Sequence, residues 1–255
     1  MKDREYVIMN KFEDIHWWYN GLRGFLTSVF QKYKDMIPEN PIFLDVGCGT
    51  GANIKHITDY FRSGKFSGFD LNPISLKNAK IKNPNAEIYR ASLISPQLRG
   101  ENYDLITILD VLYMTGIENS LDGLRIIMQH LKPGGIVIFN NPSYNWLFSE
   151  HDQAVHTLER YTKKDMIRLC SSLELIPLRI CYRNFFLFPF VVLYRLPRFI
   201  FKRKRPENPK SDIKDSNKIL NYLFTKLVQL ENWGFKIGIN YPWGSSVIIV
   251  ARKKL

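Results

Sequence analysis

The sequence predicts an α/β fold built on a doubly wound, mostly parallel sheet, and three observations carry that prediction. Residues 43–51 read FLDVGCGTG: a short apolar run, an acid at Asp45, then glycines at Gly47, Gly49 and Gly51, with a helix-like segment following. That is the first strand–loop–helix of a nucleotide-binding sheet, where glycine lets the backbone bend tightly and approach a ligand. Apolar runs of strand length then alternate with helix-like segments up to about residue 140, the rhythm of a parallel sheet. Third, residues 103–109 (YDLITIL) are almost continuously apolar, as in a strand buried on both faces.

Length and composition set the frame. With 255 residues the chain holds one large domain, or one domain with a sizeable insertion. An apolar fraction of 45% and an aromatic fraction of 14% exclude disorder as the main state. A net charge of +12 favours an anionic partner: a membrane surface, nucleic acid or an anionic substrate. Cys48, Cys170 and Cys181 are scattered and odd in number, so a disulfide framework and a zinc pattern are both excluded, and a reducing, cytoplasmic compartment is expected. The charged start, MKDREY, has no apolar leader region, and no run of about 20 apolar residues occurs; neither a secretory signal nor a membrane span is expected.

The elements follow in order. Residues 3–34 read as helix, ended by Pro38 and Pro41. Strand 1 covers 42–46 and its helix 52–61; strand 2 covers 65–69 and ends in Asp70. Residues 73–81 suit a helix, 86–90 a third strand and 103–109 a fourth. A helix over 120–131, with Leu121, Leu124, Ile127, Met128 and Leu131 at helical spacing, stops at LysProGlyGly 132–135. Strand 5 starts at Ile136. Thr162 caps a helix over 163–173, 175–182 is strand 6, and 245–252 (SSVIIVAR) is the last strand. Between the last two strands lies an insertion of about 60 residues. Its segment 185–205 is apolar first and basic last, interrupted by Pro189 and Pro197. It suits contact with an anionic membrane surface better than a span; a plain substrate-pocket cover is the alternative. Residues 206–212 read as a loop and 219–232 as helix. The chain thus divides into an N-terminal helical lid (1–38), a cofactor-binding core (42–183), an insertion (184–241) and a last strand (245–254).

Several residues carry candidate chemistry. Asp70 lies at about the spacing of 20 residues past the glycines at which a carboxylate meets ribose hydroxyls. The stretch HWWYNGLRGFL, residues 16–26, offers His16, Trp17 and Tyr19 as walls of a lid and Arg23 as a cation for a carboxylate; a core-packed helix is the bland alternative. Later come His151, Asp152, His156, Arg160 and Tyr161.

Taken together, LDVGCGTG (44–51), the acid of GFDLN (68–72), YDLITILDVL (103–112) and LKPGG (131–135) resemble the class I S-adenosylmethionine-dependent methyltransferases over essentially the whole chain. The resemblance implies a seven-stranded sheet with the last strand antiparallel, S-adenosyl-L-methionine as cofactor and methyl transfer as the reaction. It implies that Gly47 and Gly49, in a loop with Cys48 and Gly51, lie beneath the amino-acid and ribose part of the cofactor. Asp45 would order that loop and reach the methionine end, directly or through water. Asp70 matches the ribose-binding acid and Leu71 the residue beside adenine. Ser92 stands where many members have an acid, a departure. Asp110 would face cofactor and substrate. Relatives continue there with Glu-His, whereas Tyr113 and Met114 stand here, so a histidine base at that point is absent. The aromatic N-terminus, with HisAsp 151–152, ArgTyrThr 160–162 and ProTrpGlySerSer 242–246, resembles a bacterial small-molecule subgroup with N-terminal lids.

Methyl transfer needs alignment above all, and a neutral oxygen or nitrogen acceptor needs a base as well. His16, His151, His156 and Tyr161 are the candidates for that base. Trp17, Tyr19, Tyr113, Asp152 and Arg160 are expected to meet the substrate. No metal is assigned. The acceptor is expected to be a small molecule, amphipathic, sugar-containing or lipid-linked. RNA methylation, with nucleic acid disfavoured because no RNA-binding module is recognised, and a non-catalytic cofactor-binding subunit are the competing readings.

Overall fold

The computed structural model describes residues 3–100, 102–200 and 217–255. Helices α1 (Asp3–Phe12) and α2 (Trp17–Lys32) precede strand β1 (Ile42–Val46). Then come α3 (Ala52–Phe61), β2 (Lys65–Asp70), α4 (Pro73–Lys82), β3 (Glu87–Arg90) and β4 (Tyr103–Leu109). Two helices, α5 (Leu112–Thr115) and α6 (Ile117–Gln129), lead to β5 (Leu131–Pro142). After α7 (Glu150–Ala154) and α8 (Lys163–Ser172) the chain forms β6 (Leu175–Arg183), α9 (Phe188–Ile200), α10 (Lys218–Ile237) and β7 (Ser246–Lys253).

The strands stand in the order β3-β2-β1-β4-β5-β7-β6. Only β7 runs antiparallel, to both β5 and β6, so the expected seven-stranded, mostly parallel sheet is what the chain forms. Strand order reverses between β1 and β4, which opens a crevice at their carboxyl ends. The period of two along each strand feeds two cores. Leu44, Val46, Ile106 and Ile108 meet α6 and α8 through Leu124, Ile127, Met166 and Leu169. Phe43, Leu105, Ile136 and Ile138 meet α2, α3 and α10 through Phe25, Val29, Ile54, Ile57 and Phe235. The Phe25 and Phe235 rings lie 4.4 Å apart, so α10 is a face helix packed along α2, not a detached part of the insertion.

Four expectations change. The helix expected over 3–34 is two helices, parted at residues 13–16, where the His16 ring accepts the Trp18 N–H and caps α2. The LysProGlyGly turn does not end α6, which stops at Gln129; it lies inside β5, with Gly134 at φ +76 taking the bend. The turns α5 and α7 are too short to leave a periodic signal. Pro189 does not break the insertion, because it is the second residue of α9, where the N–H has no intrahelical partner to lose. The helix also runs past Pro197. The basic run 202–205 and the loop expected over 206–212 lie outside the described residues.

Candidate active site

A cavity of about 1010 Å³ opens at the carboxyl ends of β1, β2 and β4. Single ligands fill sites of roughly 300–1,000 Å³, so two molecules have room side by side. Its floor is the loop after β1. Gly47 and Gly49 have φ of +70° and +53°, a left-handed backbone that a side chain would strain. A Cβ on Gly49 would also stand 2.9 Å from Met9 Cε across the cavity. Cys48 lines the floor, its thiol raised far above its usual pKa by burial and the nearby Asp45 and Asp70. Thr50 donates to Glu13 at 2.6 Å, tying α1 to the loop, and Glu13 is paired with Lys82.

Asp45 and Gly51 lie outside the lining, so a direct contact of either with a ligand is corrected. Gly51 is the buried residue before α3. Asp45 sits under the loop and accepts the Thr107 hydroxyl at 2.6 Å, while its Oδ2 is buried without a partner. Burial pushes Asp45 up to about 7, Asp70 adds to the rise, and the Thr107 bond opposes it. Its one hydrogen bond thus ties β1 to β4 beneath the loop.

Asp70 faces the cavity. Its Oδ2 accepts the Gly49 N–H at 3.0 Å and its Oδ1 the Asn72 N–H at 2.9 Å. Leu71 stands beside it, 54% exposed, and Ser92, Leu93 and Ile94 close that end. The Ser92 hydroxyl accepts the Ile94 N–H at 3.2 Å.

Across the strand reversal lies Asp110, at φ +55 directly after β4. Its carboxylate accepts the Asn140 amide at 2.9 Å, and the buried Arg183 donates to Asn140 at 3.3 Å. Burial raises Asp110 to about 6, against the pull of Arg183, Asn140 and Arg160. The Tyr19 and Tyr113 hydroxyls in the same wall are pushed up, first by burial and then by neighbouring carboxylates, so both stay neutral. A neutral phenol donates a hydrogen bond.

The α2 wall brings His16, Trp17, Tyr19 and Arg23 together as expected and adds Trp18 and Leu22. Trp17 packs edge-on against Phe224 of α10 at 5.6 Å, and its backbone N–H donates to Asn221 Oδ1 at 2.9 Å. Arg23 donates to the Glu13 carbonyl and, at 2.6 Å, to Asn20. Since His16 Nδ1 accepts a backbone N–H, the neutral ring carries its proton on Nε2 and is a donor toward the cavity. Burial lowers its pKa further. That corrects His16 as a base.

The far wall separates the remaining candidates. His151, Asp152 and Arg160 line the cavity; His156 and Tyr161 do not. His156 is exposed in the turn after α7, at φ +59. Tyr161 is buried and its hydroxyl donates to the Leu112 carbonyl at 3.0 Å. Both are thereby corrected as bases. Asp152 accepts the Ser149 N–H at 2.8 Å and pairs with Arg160 at 2.6 Å. Arg195 of α9 approaches the same carboxylate at 3.7 Å. Burial raises Asp152, but the two arginines and the Ser149 N–H outweigh it and hold it below its usual value. Among the described residues no three His, Cys, Asp or Glu side chains gather as a metal site.

Tyr6 and Met9 of α1, Glu13 just after it, Phe190, Tyr194 and Arg195 of α9, and Phe224 of α10 also line the cavity. Sequence reasoning named none of the seven individually, although the lid expected over 1–38 and the pocket cover offered for 185–205 contain six of them. Their elements lie far from the glycine loop in sequence, and the signal available was only the aromatic and basic character of each helix.

A family model described as a methyltransferase domain matches residues 44–137, the span from β1 into β5. Among curated relatives is a dTDP-3-amino-3,4,6-trideoxy-alpha-D-glucopyranose N,N-dimethyltransferase of Streptomyces venezuelae, 29% identical over 49% of this chain and 50% of that protein. A dTDP-4-amino-2,3,4,6-tetradeoxy-D-glucose N,N-dimethyltransferase of Saccharopolyspora spinosa is 30% identical over 44% of each. The chain spans about half the length of the curated relatives it matches. Of solved structures, a plantazolicin methyltransferase with S-adenosylhomocysteine bound has a TM-score of 0.60 at 12% identity, covering 99% of this chain and 91% of that one. An S-adenosylmethionine-dependent methyltransferase from Clostridium acetobutylicum has a TM-score of 0.57 at 12% identity, covering 91% and 92%. At such identities the likeness is one of fold.

Proposed function

We propose that this chain, which carries a class I S-adenosylmethionine-dependent methyltransferase domain, moves a methyl group from that cofactor to a small molecule bearing both a nucleophilic amine or hydroxyl and an anionic group. One observation carries the reading. A single cavity spans the strand reversal, with the glycine loop and Asp70 on one side and Asp110 and the Arg160–Asp152–Arg195 cluster on the other.

The residues on the first side fit the cofactor. Without a Cβ, Gly47 and Gly49 leave the floor open, and the Asp70 carboxylate keeps lone pairs beyond its two backbone bonds for a vicinal diol. Ser92 and Leu71 suit the base end. S-adenosylmethionine, when bound, supplies an activated methyl on a sulfonium. The chain's own part is to orient the acceptor and exclude water. The aromatic α2 wall and α9 exclude water from above. The neutral hydroxyls of Tyr19 and Tyr113 orient the acceptor by donation. Asp110, with a pKa of about 6, is ionised at neutral pH and accepts the proton of an acceptor N–H or O–H.

The anionic group rests on the far wall. Two guanidiniums stand beside the Asp152 carboxylate there, and guanidinium forks suit phosphate oxygens. A sugar linked through a diphosphate has that chemistry, and the relatives' names support it by naming dTDP-linked amino sugars as their substrates. The diphosphate could belong to a nucleotide or to a lipid carrier.

Purified protein with methyl-labelled cofactor tests this against three acceptors: a dTDP-linked amino deoxysugar, the free amino sugar, and an amino sugar on a polyprenyl diphosphate. Transfer to one or both diphosphate-linked acceptors and little to the free sugar is expected, and the better of the two identifies the carrier. Equal transfer to the free sugar, or label found only in RNA, would overturn the reading.

A further inference from the structure

The helix α10 is apolar on both sides. Its inner face, Phe224, Val228, Asn232 and Phe235, packs toward α2 and the sheet. Its outer face should be polar, as on most surface helices. Instead Ile219, Leu223, Leu230, Trp233 and Ile237 recur at helical spacing along its whole length, each between 49% and 70% exposed. Tyr222 joins them, and Ile239 and Trp243 extend the row beyond the helix. Twenty residues make a stripe of about 30 Å, well beyond the scattered apolar residues normal on a surface.

Charge says what covers it. Lys218, Lys226 and Lys236 are exposed on α10, and Lys226 lies 5.3 Å over the Tyr222 ring. The only acid of this helix is Glu231, which is buried and accepts the N–H groups of Asn184 and Phe185. The outer surface of α10 is therefore apolar and cationic with no carboxylate, on a chain of net charge +12. Aromatic residues with lysines around them match the boundary between acyl chains and anionic headgroups, into which lysine stems extend. A second copy of the chain suits it less. A twofold pairing centred on the stripe would set Lys226 beside Lys226 of the other copy, and like charges would face each other.

We infer that the outer face of α10, with Trp243 beyond its end, docks on an anionic lipid surface. The cavity lies on the other side of the helix: Phe224 of its inner face lines it, as do Phe190 and Tyr194 of α9, which are themselves 62% and 56% exposed.

The test is flotation of the full chain with phosphatidylcholine vesicles, with and without about a third phosphatidylglycerol. Wild type is expected to float with the anionic vesicles only. Leu230→Glu with Trp233→Glu should weaken this by about tenfold or more. The triple change Lys218→Glu, Lys226→Glu and Lys236→Glu should do so without touching the apolar stripe. The thermal shift given by S-adenosylhomocysteine checks that each variant is folded, and is independent of any acceptor. Absence of wild-type binding, binding unchanged in folded variants, or a wild-type dimer lost in the Trp233 variant would each overturn the inference.

Discussion

Gly49 donates its backbone N–H to Oδ2 of Asp70 at 3.0 Å, so the loop after β1 and the acid ending β2 are one hydrogen-bonded unit. The other oxygen takes the Asn72 N–H, which fixes the turn into α4. A change at either residue therefore reaches the other, and the cofactor side responds as a unit.

Gly47→Ala tests how far that unit tolerates a side chain. The new Cβ would sit at φ +70, 2.5 Å from Val111 Cγ2. A left-handed alanine costs about 1–2 kcal/mol, a fall in Tm of about 2–8 °C for a chain of this size. Scanning calorimetry should show that fall together with a smaller stabilisation by S-adenosylhomocysteine.

Asp45 should leave a mark on stability against pH. Its folded pKa is about 7, against an ordinary 3.8. Between these values the folded protein keeps a proton that the unfolded chain has lost. Stability contributed here falls as pH rises through that window and is level above it. Urea unfolding at about pH 5 and about pH 8 should differ less in Asp45→Asn than in wild type. An equal difference in both would remove Asp45 as the cause.

His16 separates a helix cap from a base. His16→Ala loses the cap and about 0.5–2 kcal/mol, whereas His16→Asn restores it. Stability should drop in the first and recover in the second. Methyl transfer by His16→Asn should stay within a few-fold of wild type; a loss of about 100-fold or more would make His16 the base after all.

Asp152 holds two arginines in the cavity wall. Removing it leaves them without their shared anion, at a cost of about 3–5 kcal/mol for breaking a buried pair. Asp152→Ala should therefore lower Tm by about 6–20 °C. Arg195→Ala leaves Asp152 its closer partner Arg160, so it should lower Tm less than Asp152→Ala does and raise the acceptor KM.

Much of this was legible in the chain itself. The glycine loop, Asp70 and the seven strands follow from local patterns: glycines where φ is positive, an acid at a fixed distance, apolar strands without alternation. Those segments line the half of the cavity at the ends of β1 and β2, so the residues there, apart from Asp45 and Gly51, could be named from sequence. The acceptor side is not built from them. Asp152 is expected to meet the substrate, but its ion-pair partners, Arg160 and Arg195, come from a loop eight residues on and from a different helix. Tyr161 and His156 sit next to lining residues in sequence, yet one is turned inward to Leu112 and the other outward to solvent. One-residue steps decide which side of a wall a side chain takes, and composition does not record them. The outer face of α10 was hidden for a similar reason: a helix apolar on both sides shows no polar face to mark which side is buried.

Calorimetric titration of S-adenosylhomocysteine into wild type, Asp70→Asn and Arg195→Ala separates the two halves of the cavity. A charged hydrogen-bonding group is worth about 1.5–3 kcal/mol, so Asp70→Asn should bind about tenfold weaker or more, while Arg195→Ala binds as wild type does. No binding by wild type, or a loss that follows Arg195 and not Asp70, would contradict the account.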